Sequence, residues 1–326
     1  MRKSTFLFVL RRLIQVVPVV LAITAMNFLL LQMAPGDAAD ILSGQMGHAT
    51  LEFTQQIRQE FGLDRPLHEQ FLIYIGKLLV FDLGISHLQQ LPVIDLILDR
   101  LPATLILMIS AIFIAVVAGI GLGVAAARRE GTVADNAISV SALIVYATPS
   151  FWLGLMLIVL FSIKLDVLPS GGMMQIGAGL TGLAHVLDVT WHLILPAMTL
   201  GLFYVAIYTR LMRASMLEVY GLDFIVTARA KGLSEGSVAW THAVRNALLP
   251  VVTLAGVQIG HLLGGSILVE TVFGWPGLGR LVFDALLQRD LNLLLGILFV
   301  SSVVVVFANL IVDLVYGLLD PRIVHK

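Results

Sequence analysis

Cysteine is missing altogether from the 326 residues, which excludes disulfides, thiolate metal sites and cysteine nucleophiles. Charge is scarce as well. Asp, Glu, Lys and Arg make up 13% of the chain, about half of the roughly 25% usual in soluble domains. The net charge of -1 gives no basic surface for nucleic acid. A G-x-x-x-x-G-K-[ST] loop does not occur, since Gly76-Lys77 lacks the preceding glycine, so the chain has no device of that type for cradling ATP. H-E-x-x-H is absent too: His68-Glu69 runs on into Gln70, Phe71 and Leu72. His185 and His192, seven apart, read as interfacial side chains rather than a ligand pair. No nucleophile and base converge, so no catalytic residue and no metal ligand is assigned.

What is abundant is apolar sequence, at 58% of the residues with a mean hydropathy of +0.96. Six runs reach the roughly 20 helical residues that cross a hydrocarbon core: Leu13 to Met33, Leu101 to Ala127, Ala137 to Ile163, Trp191 to Leu211, Leu248 to Val269 and Leu291 to Tyr316. They are continuous rather than alternating, which disfavours a strand barrel. The expected class is an all-α polytopic membrane protein with six transmembrane helices. Thirteen of the 20 Lys and Arg residues lie on the termini and the even loops, so both termini are expected to be cytoplasmic. The first run is longer than a signal-peptide core and no A-x-A site follows, so it is expected to remain as an anchor.

Few ionisable groups enter these runs, as a proton or sodium relay would require. Asp313 lies inside the sixth, four residues after Asn309, and is expected to pair at the membrane edge with Arg210 or Arg213. Glu270 ends the fifth. The long segment from Ala34 to Arg100 holds two amphipathic pieces. Thr50 can cap one carrying Leu51, Ile57 and Phe61; Pro66 suits the first turn of another carrying Phe71, Ile75 and Leu78.

Between the fourth and fifth runs lies a basic, Ala-rich stretch, FIVTARAKGLSEGSVAWTHAVRNALLP. Asp223 can cap a short helix through Ile225, Val226, Ala228 and Arg229, and Gly232 breaks it. A second helix is expected from about Ser234 into the fifth run, with Pro250 in its first turns. Small residues on an exposed helix let another backbone approach, and Arg229 and Lys231 can meet carboxylates on that partner.

Thr227-Ala228-Arg229-Ala230-Lys231-Gly232, followed by Arg245-Asn246-Ala247-Leu248-Leu249-Pro250, resembles the cytoplasmic loop of type I ABC importer permeases of the dipeptide/oligopeptide/nickel group. Val226, Thr227 and Ala228 stand where the general family has Glu-Ala-Ala, and the distance from Gly232 to Pro250 is longer, as in the peptide group. Further matches to the first of the two permeases follow in order along the chain. They are Arg11-Arg12, Ala34-Pro35-Gly36-Asp37, Phe61-Gly62-Leu63-Asp64-Arg65-Pro66-Leu67, Asp82-Leu83-Gly84-Ile85-Ser86 and Leu101-Pro102-Ala103-Thr104-Leu105. Thr148-Pro149-Ser150-Phe151-Trp152, Leu168-Pro169-Ser170-Gly171-Gly172, Phe273-Gly274-Trp275-Pro276-Gly277-Leu278-Gly279-Arg280 and Leu319-Asp320-Pro321-Arg322 complete the series.

The resemblance implies a type I ABC importer permease fold in the bacterial inner membrane. Residues 1–95 would hold the first helix and a periplasmic loop, 96–317 the transport core with its coupling loop 214–247, and 318–326 a cytoplasmic tail. It further implies a homologous second permease, two ATPase subunits that bind ATP and Mg, and a periplasmic or lipid-anchored solute-binding protein; this chain would hold no cofactor. Asp223, Thr227, Ala228, Arg229, Ala230, Lys231 and Gly232 would couple it to the ATPase. Thr148, Pro149, Gln258, Ser266, Trp275, Pro276 and Gly277 are the candidate pathway or gate residues, with Asn27, Ser110, Ser139 and Ser141 as further small or polar positions. Peptide is the first choice of solute. Nickel or a nickel chelate, and a self-contained secondary transporter or facilitator, are the alternatives.

Overall fold

A computed structural model of the chain describes residues 2–33, 55, 58, 59, 64–86 and 88–319. All six apolar runs are helical. In chain order the elements are α1 (Arg2–Met33), α2 (Leu67–Leu79), α3 (Val93–Ala127), α4 (Val133–Ala147), α5 (Ser150–Leu157), α6 (Gly182–Tyr220), α7 (Asp223–Ala230), α8 (Val244–Phe273), α9 (Leu278–Gln288) and α10 (Leu291–Leu319). Among the described residues, extended pairing is confined to one isolated bridge, Ile85 to Pro92. By length and apolarity α3, α6 and the Leu291–Ile311 part of α10 can each cross a membrane, and α4 with α5 and its extension makes a fourth candidate.

That fourth candidate corrects the reading of one continuous span from Ala137 to Ile163. The chain bends by 107° between Val133–Ala147 and Ser150–Lys164. Thr148 closes α4 in an extended conformation (ψ 129°), the region favoured before proline, whose ring crowds a helical predecessor. Pro149 lacks the N–H that would continue the ladder. It instead precedes α5, which runs on into a π-helical stretch, Ile158–Lys164.

The fold divides into two compact units, one formed by 1–100 with 282–326 and one by 101–281. In the first, α1 packs on α10 and on α2. Phe28 meets the rings of Phe71 and Tyr74 at 5.2 and 5.9 Å, so Leu78 is buried and Phe71 and Ile75 are half-buried. Pro66 stands just before α2 rather than inside it. The companion piece expected after Thr50 lies outside the described residues. The Asp82–Ser86 loop is explained by its contacts. Asp82 accepts from the Gly84 amide at 3.1 Å, and the buried Ser86 hydroxyl donates to the Asp290 carboxylate at 2.5 Å. Asp290 in turn accepts from the Leu293 amide at 3.1 Å, capping the start of α10.

In the second unit, α3, α6 and α8 share one core with α7, built on Leu107, Met108, Ala111, Tyr208, Met212 and Met216. Two glycines one helical turn apart set its spacing. A β-carbon at Gly119 would lie 2.5 Å from Tyr208 Cβ, and one at Gly123 2.6 Å from Met212 Cβ. The α3 and α6 backbones approach closely because nothing larger stands there, as small residues permit between membrane helices.

Candidate functional site

The short helix α7 is held as a bracket between α6 and α8. Leu222, not Asp223, occupies the N-cap position; Asp223 is the first helical residue and makes no capping bond. At the other end Gly232 adopts φ +78°, a left-handed conformation that glycine takes without strain. Its amide donates to the Arg229 carbonyl at 2.9 Å and the Leu233 amide to that of Ala228 at 3.4 Å. Those two bonds form a Schellman cap. Gly232 therefore stops the helix as expected, and Ser234 starts the next one by accepting from the Ser237 amide at 3.3 Å. A turn at Glu235–Ser237 and a π-helical stretch at Val238–Ala243 then run straight into α8.

One face of α7 belongs to the chain itself. Ile225 and Ala228 are buried in the core that also holds Val238, Ala239 and Ala243. The small side chain of Ala228 thus serves internal packing on the inner face of α7. Arg229 is also committed internally. Its guanidinium donates to both carboxylate oxygens of Glu235 at 2.9 and 3.2 Å and lies 5.5 Å from the centre of the Tyr220 ring. The paired guanidinium holds the Glu235 carboxyl below its ordinary value. The outward face is left to Asp223, Phe224, Val226, Thr227, Ala230 and Lys231, all exposed, with Val226 at 59%.

A second constellation gathers three stretches far apart in sequence around Glu270, which is fully buried at the end of α8. The Thr104 hydroxyl donates to one oxygen of the Glu270 carboxylate at 2.8 Å and the Arg280 amide to the other at 3.0 Å. Ser266 and the Gly279 amide are further donors. Thr104 Oγ1 also accepts from the Leu278 amide at 2.7 Å. The buried Trp275 indole donates to the Ala103 carbonyl at 2.9 Å. Gly274 turns the chain at φ +60°, and the Arg280 guanidinium donates to its carbonyl at 2.9 Å. The Gly172 amide donates to the Phe273 carbonyl at 2.7 Å. So the stretches 101–105, 168–172 and 273–280 meet at one point.

Of the candidate pathway residues, Ser266, Trp275 and Gly277 belong to this closed node and Pro276 is half-buried beside it. Thr148 and Pro149 form the break between α4 and α5, where the Thr148 hydroxyl donates back to the Ile144 carbonyl at 2.7 Å. Gln258 is half-buried on α8 and is not brought together with them by any hydrogen bond among the described residues. Glu270 was legible only as a carboxylate at a span's end. Its role needed Thr104, 166 residues away.

The expected ion pair of Arg210 or Arg213 with Asp313 falls on a side chain outside the described residues, and among the described residues both arginines have other neighbours. Arg213 donates to both oxygens of Asp135 at 2.6 and 2.7 Å, tying α6 to the first turn of α4. Arg210 lies 4.7 Å from the Tyr146 ring centre. The side chain of Asp313 lies outside the described residues.

Comparison with known proteins gives these constellations a context. The family model described as the binding-protein-dependent transport system inner membrane component matches residues 119–325, and that of the N-terminal part of such components matches residues 5–108. The dipeptide transport system permease protein DppB of Escherichia coli (strain K12) is 42% identical over 336 residues, covering 98% of this chain and 99% of the relative. The oligopeptide transport system permease protein AppB of Bacillus subtilis (strain 168) is 38% identical over 318 residues, covering 97% and 98%. Among solved structures, the MetNI methionine ABC transporter in inward-facing conformations matches with a TM-score of 0.55 at 18% identity, over 70% of this chain and 97% of that one. That likeness concerns the fold alone.

Proposed function

This chain belongs to the family of binding-protein-dependent transport system inner membrane components, and from that premise we propose that it forms, with a second permease, the pathway by which short peptides are imported. It is a permease subunit of an ABC importer and a multi-pass protein of the bacterial inner membrane. The peptide assignment rests on end-to-end similarity to permeases whose names specify dipeptides and oligopeptides.

Energy enters from other subunits, two ATPases that bind ATP and Mg, and solute arrives on a periplasmic or lipid-anchored binding protein. The observation that carries the mechanism is the construction of α7. Ile225 and Ala228 pack its inner face into the core, the exposed Arg229–Glu235 pair ties its end to the following turn, and its outer face is left unfilled. A displacement applied to that outer face is transmitted to α6 through Tyr220 and to α8 through the π-helical stretch, rather than absorbed by bending. An ATPase seated on Asp223, Val226, Thr227, Ala230 and Lys231 can then bias a two-state bundle. Thr148–Pro149, with α4 and α5 bent about it, supplies a discontinuity where two states can differ. The Glu270 node, with Trp275, Pro276 and Gly277, keeps the far end of α8 in register.

The test is peptide-stimulated ATP hydrolysis by the complex reconstituted in liposomes with its binding protein. Val226→Asp places a charge on the exposed face and leaves the packed face untouched. The expected result is an assembled or partly assembled complex whose stimulated hydrolysis and uptake fall together at least about tenfold, as for loss of a buried apolar contact. Full stimulated hydrolysis in this variant would remove α7 from the coupling path. Uptake by this chain without any ATPase would overturn the importer reading itself.

A further inference from the structure

Arg210 is out of keeping with the rest of the second unit. It sits on α6, a helix long and apolar enough to cross the membrane, and it is exposed. Among the described residues no carboxylate pairs with it, whereas Arg213, one turn further on, pairs with Asp135. An arginine within an apolar helix ordinarily faces a partner or a water-filled cavity, because hydrocarbon is costly for its charge.

The direction of its side chain separates a cavity from the membrane surface. The guanidinium lies over the Tyr146 ring, and that ring stacks on Phe203, seven residues nearer the start of α6, at 5.3 Å and 20°. Arg210 therefore points back along α6. Tyr146 is eleven residues beyond Asp135 on α4, which is about 16 Å of helix. Asp135, beside the charged loop Arg128-Arg129-Glu130, marks the polar end of that helix. A side chain seeking lipid phosphates would extend towards that end. This one extends away from it, along the Tyr146 and Phe203 rings, with the buried Tyr204 edge-on beneath Phe203 at 5.2 Å and 88°.

We propose that Arg210, seated on Tyr146 and flanked by Phe203, is a solute subsite that receives the C-terminal carboxylate of the transported peptide. This deepens the peptide-importer reading and rests on it. The chemistry fits in three respects. The fixed fork of a guanidinium matches a carboxylate with two parallel hydrogen bonds. The aromatic ring below it holds the cation in place and leaves its N–H edge free. A transporter accepting many side chains needs to hold what they have in common, and every unmodified linear peptide ends in one carboxylate. The aromatic flank is tolerant of apolar side chains next to it, as ring faces are.

The test uses the assembled complex in liposomes, held by ADP and orthovanadate after turnover with a radiolabelled alanyl dipeptide whose second residue carries a photoreactive diazirine. Ultraviolet light should label this chain. Arg210→Gln should lower that labelling at least about tenfold and Arg210→Lys by about threefold, in keeping with loss of a bidentate charged pair against loss of its geometry. Labelling of the separate binding protein serves as the internal standard. Undiminished labelling of Arg210→Gln overturns the subsite and leaves the importer reading intact. No labelling of either permease in the wild type overturns both. If Arg210→Gln and Arg210→Lys both fail to assemble on gel filtration, Arg210 holds the second permease and the subsite is wrong. A labelling defect that follows the anionic-lipid content of the liposomes assigns it to a headgroup and likewise overturns the proposal.

Discussion

A single hydrogen decides the geometry at Gly277. A β-carbon there would stand 2.4 Å from the Glu270 carboxylate, so Gly277→Ala must displace a buried group bonded to Thr104 and Arg280. Overpacking of this kind costs about 1–3 kcal/mol. Thermal unfolding of the purified chain in detergent should show a lower midpoint for Gly277→Ala, and an unchanged midpoint would mean the carboxylate has room the structure does not show. Glu235 gives a prediction in pH. Its folded value is depressed below the ordinary 4.5 by the Arg229 hydrogen bond, so the support it lends the loop is complete above 4.5 and fades as pH falls through the lowered value. Amide exchange in residues 223–235, corrected for intrinsic rates, should be level from pH 8 to about 5 and faster below 4.5. Glu235→Gln should exchange faster throughout and show no such step. At this scale the sequence was half legible. Gly232 announced its cap by residue type, but Arg229 offered no sign that its partner would be Glu235 rather than another chain, because six residues and an intervening turn separate them.

Elements were read well where length and apolarity suffice, and poorly where packing intervenes. Every apolar run is a helix, yet the third is two helices at 107°. Thr148-Pro149 marks the place of the break by residue type; the size of the bend is not legible there, since it depends on what α5 packs against. Gly154 shows how: a β-carbon there would meet Phe273 at 3.1 Å and Thr199 at 3.3 Å, so α5 lies hard against α6 and α8. Nothing in the sequence sets Gly119 and Gly123 apart from the other glycines among the 29, although they set the distance between α3 and α6. Gly123→Leu should separate them, with overpacking of about 1–3 kcal/mol and loss of close contact. Disulfide trapping between cysteines introduced on the two facing helices near that point should drop in the variant. Trapping at the wild-type rate would show that the helices do not depend on the glycine.

At the scale of the whole molecule, motifs that were separate words in the sequence become one statement. The stretches at 101–105, 168–172 and 273–280 were matched one by one to a family, and the fold assembles them around Glu270 and the Phe273 carbonyl. The Asp82–Ser86 loop does the same for the start of α10. Order along the chain identified the family; the meeting of the motifs in space explains why those residue types stand there. Periodicity could not supply that, because each stretch obtains its hydrogen-bonding partner from another.

The discontinuous unit formed by 1–100 and 282–326 has a consequence in time. α1 packs on α10, and α10 is made long after it. At roughly 5–20 residues per second, on the order of ten to fifty seconds of synthesis separate the two helices as they leave the ribosome. During that interval α1 must rest in the lipid without its partner, held by its own apolar surface. The unit therefore cannot close until long after its first helix is made, and a nascent chain released early leaves that helix with α2 alone to pack on.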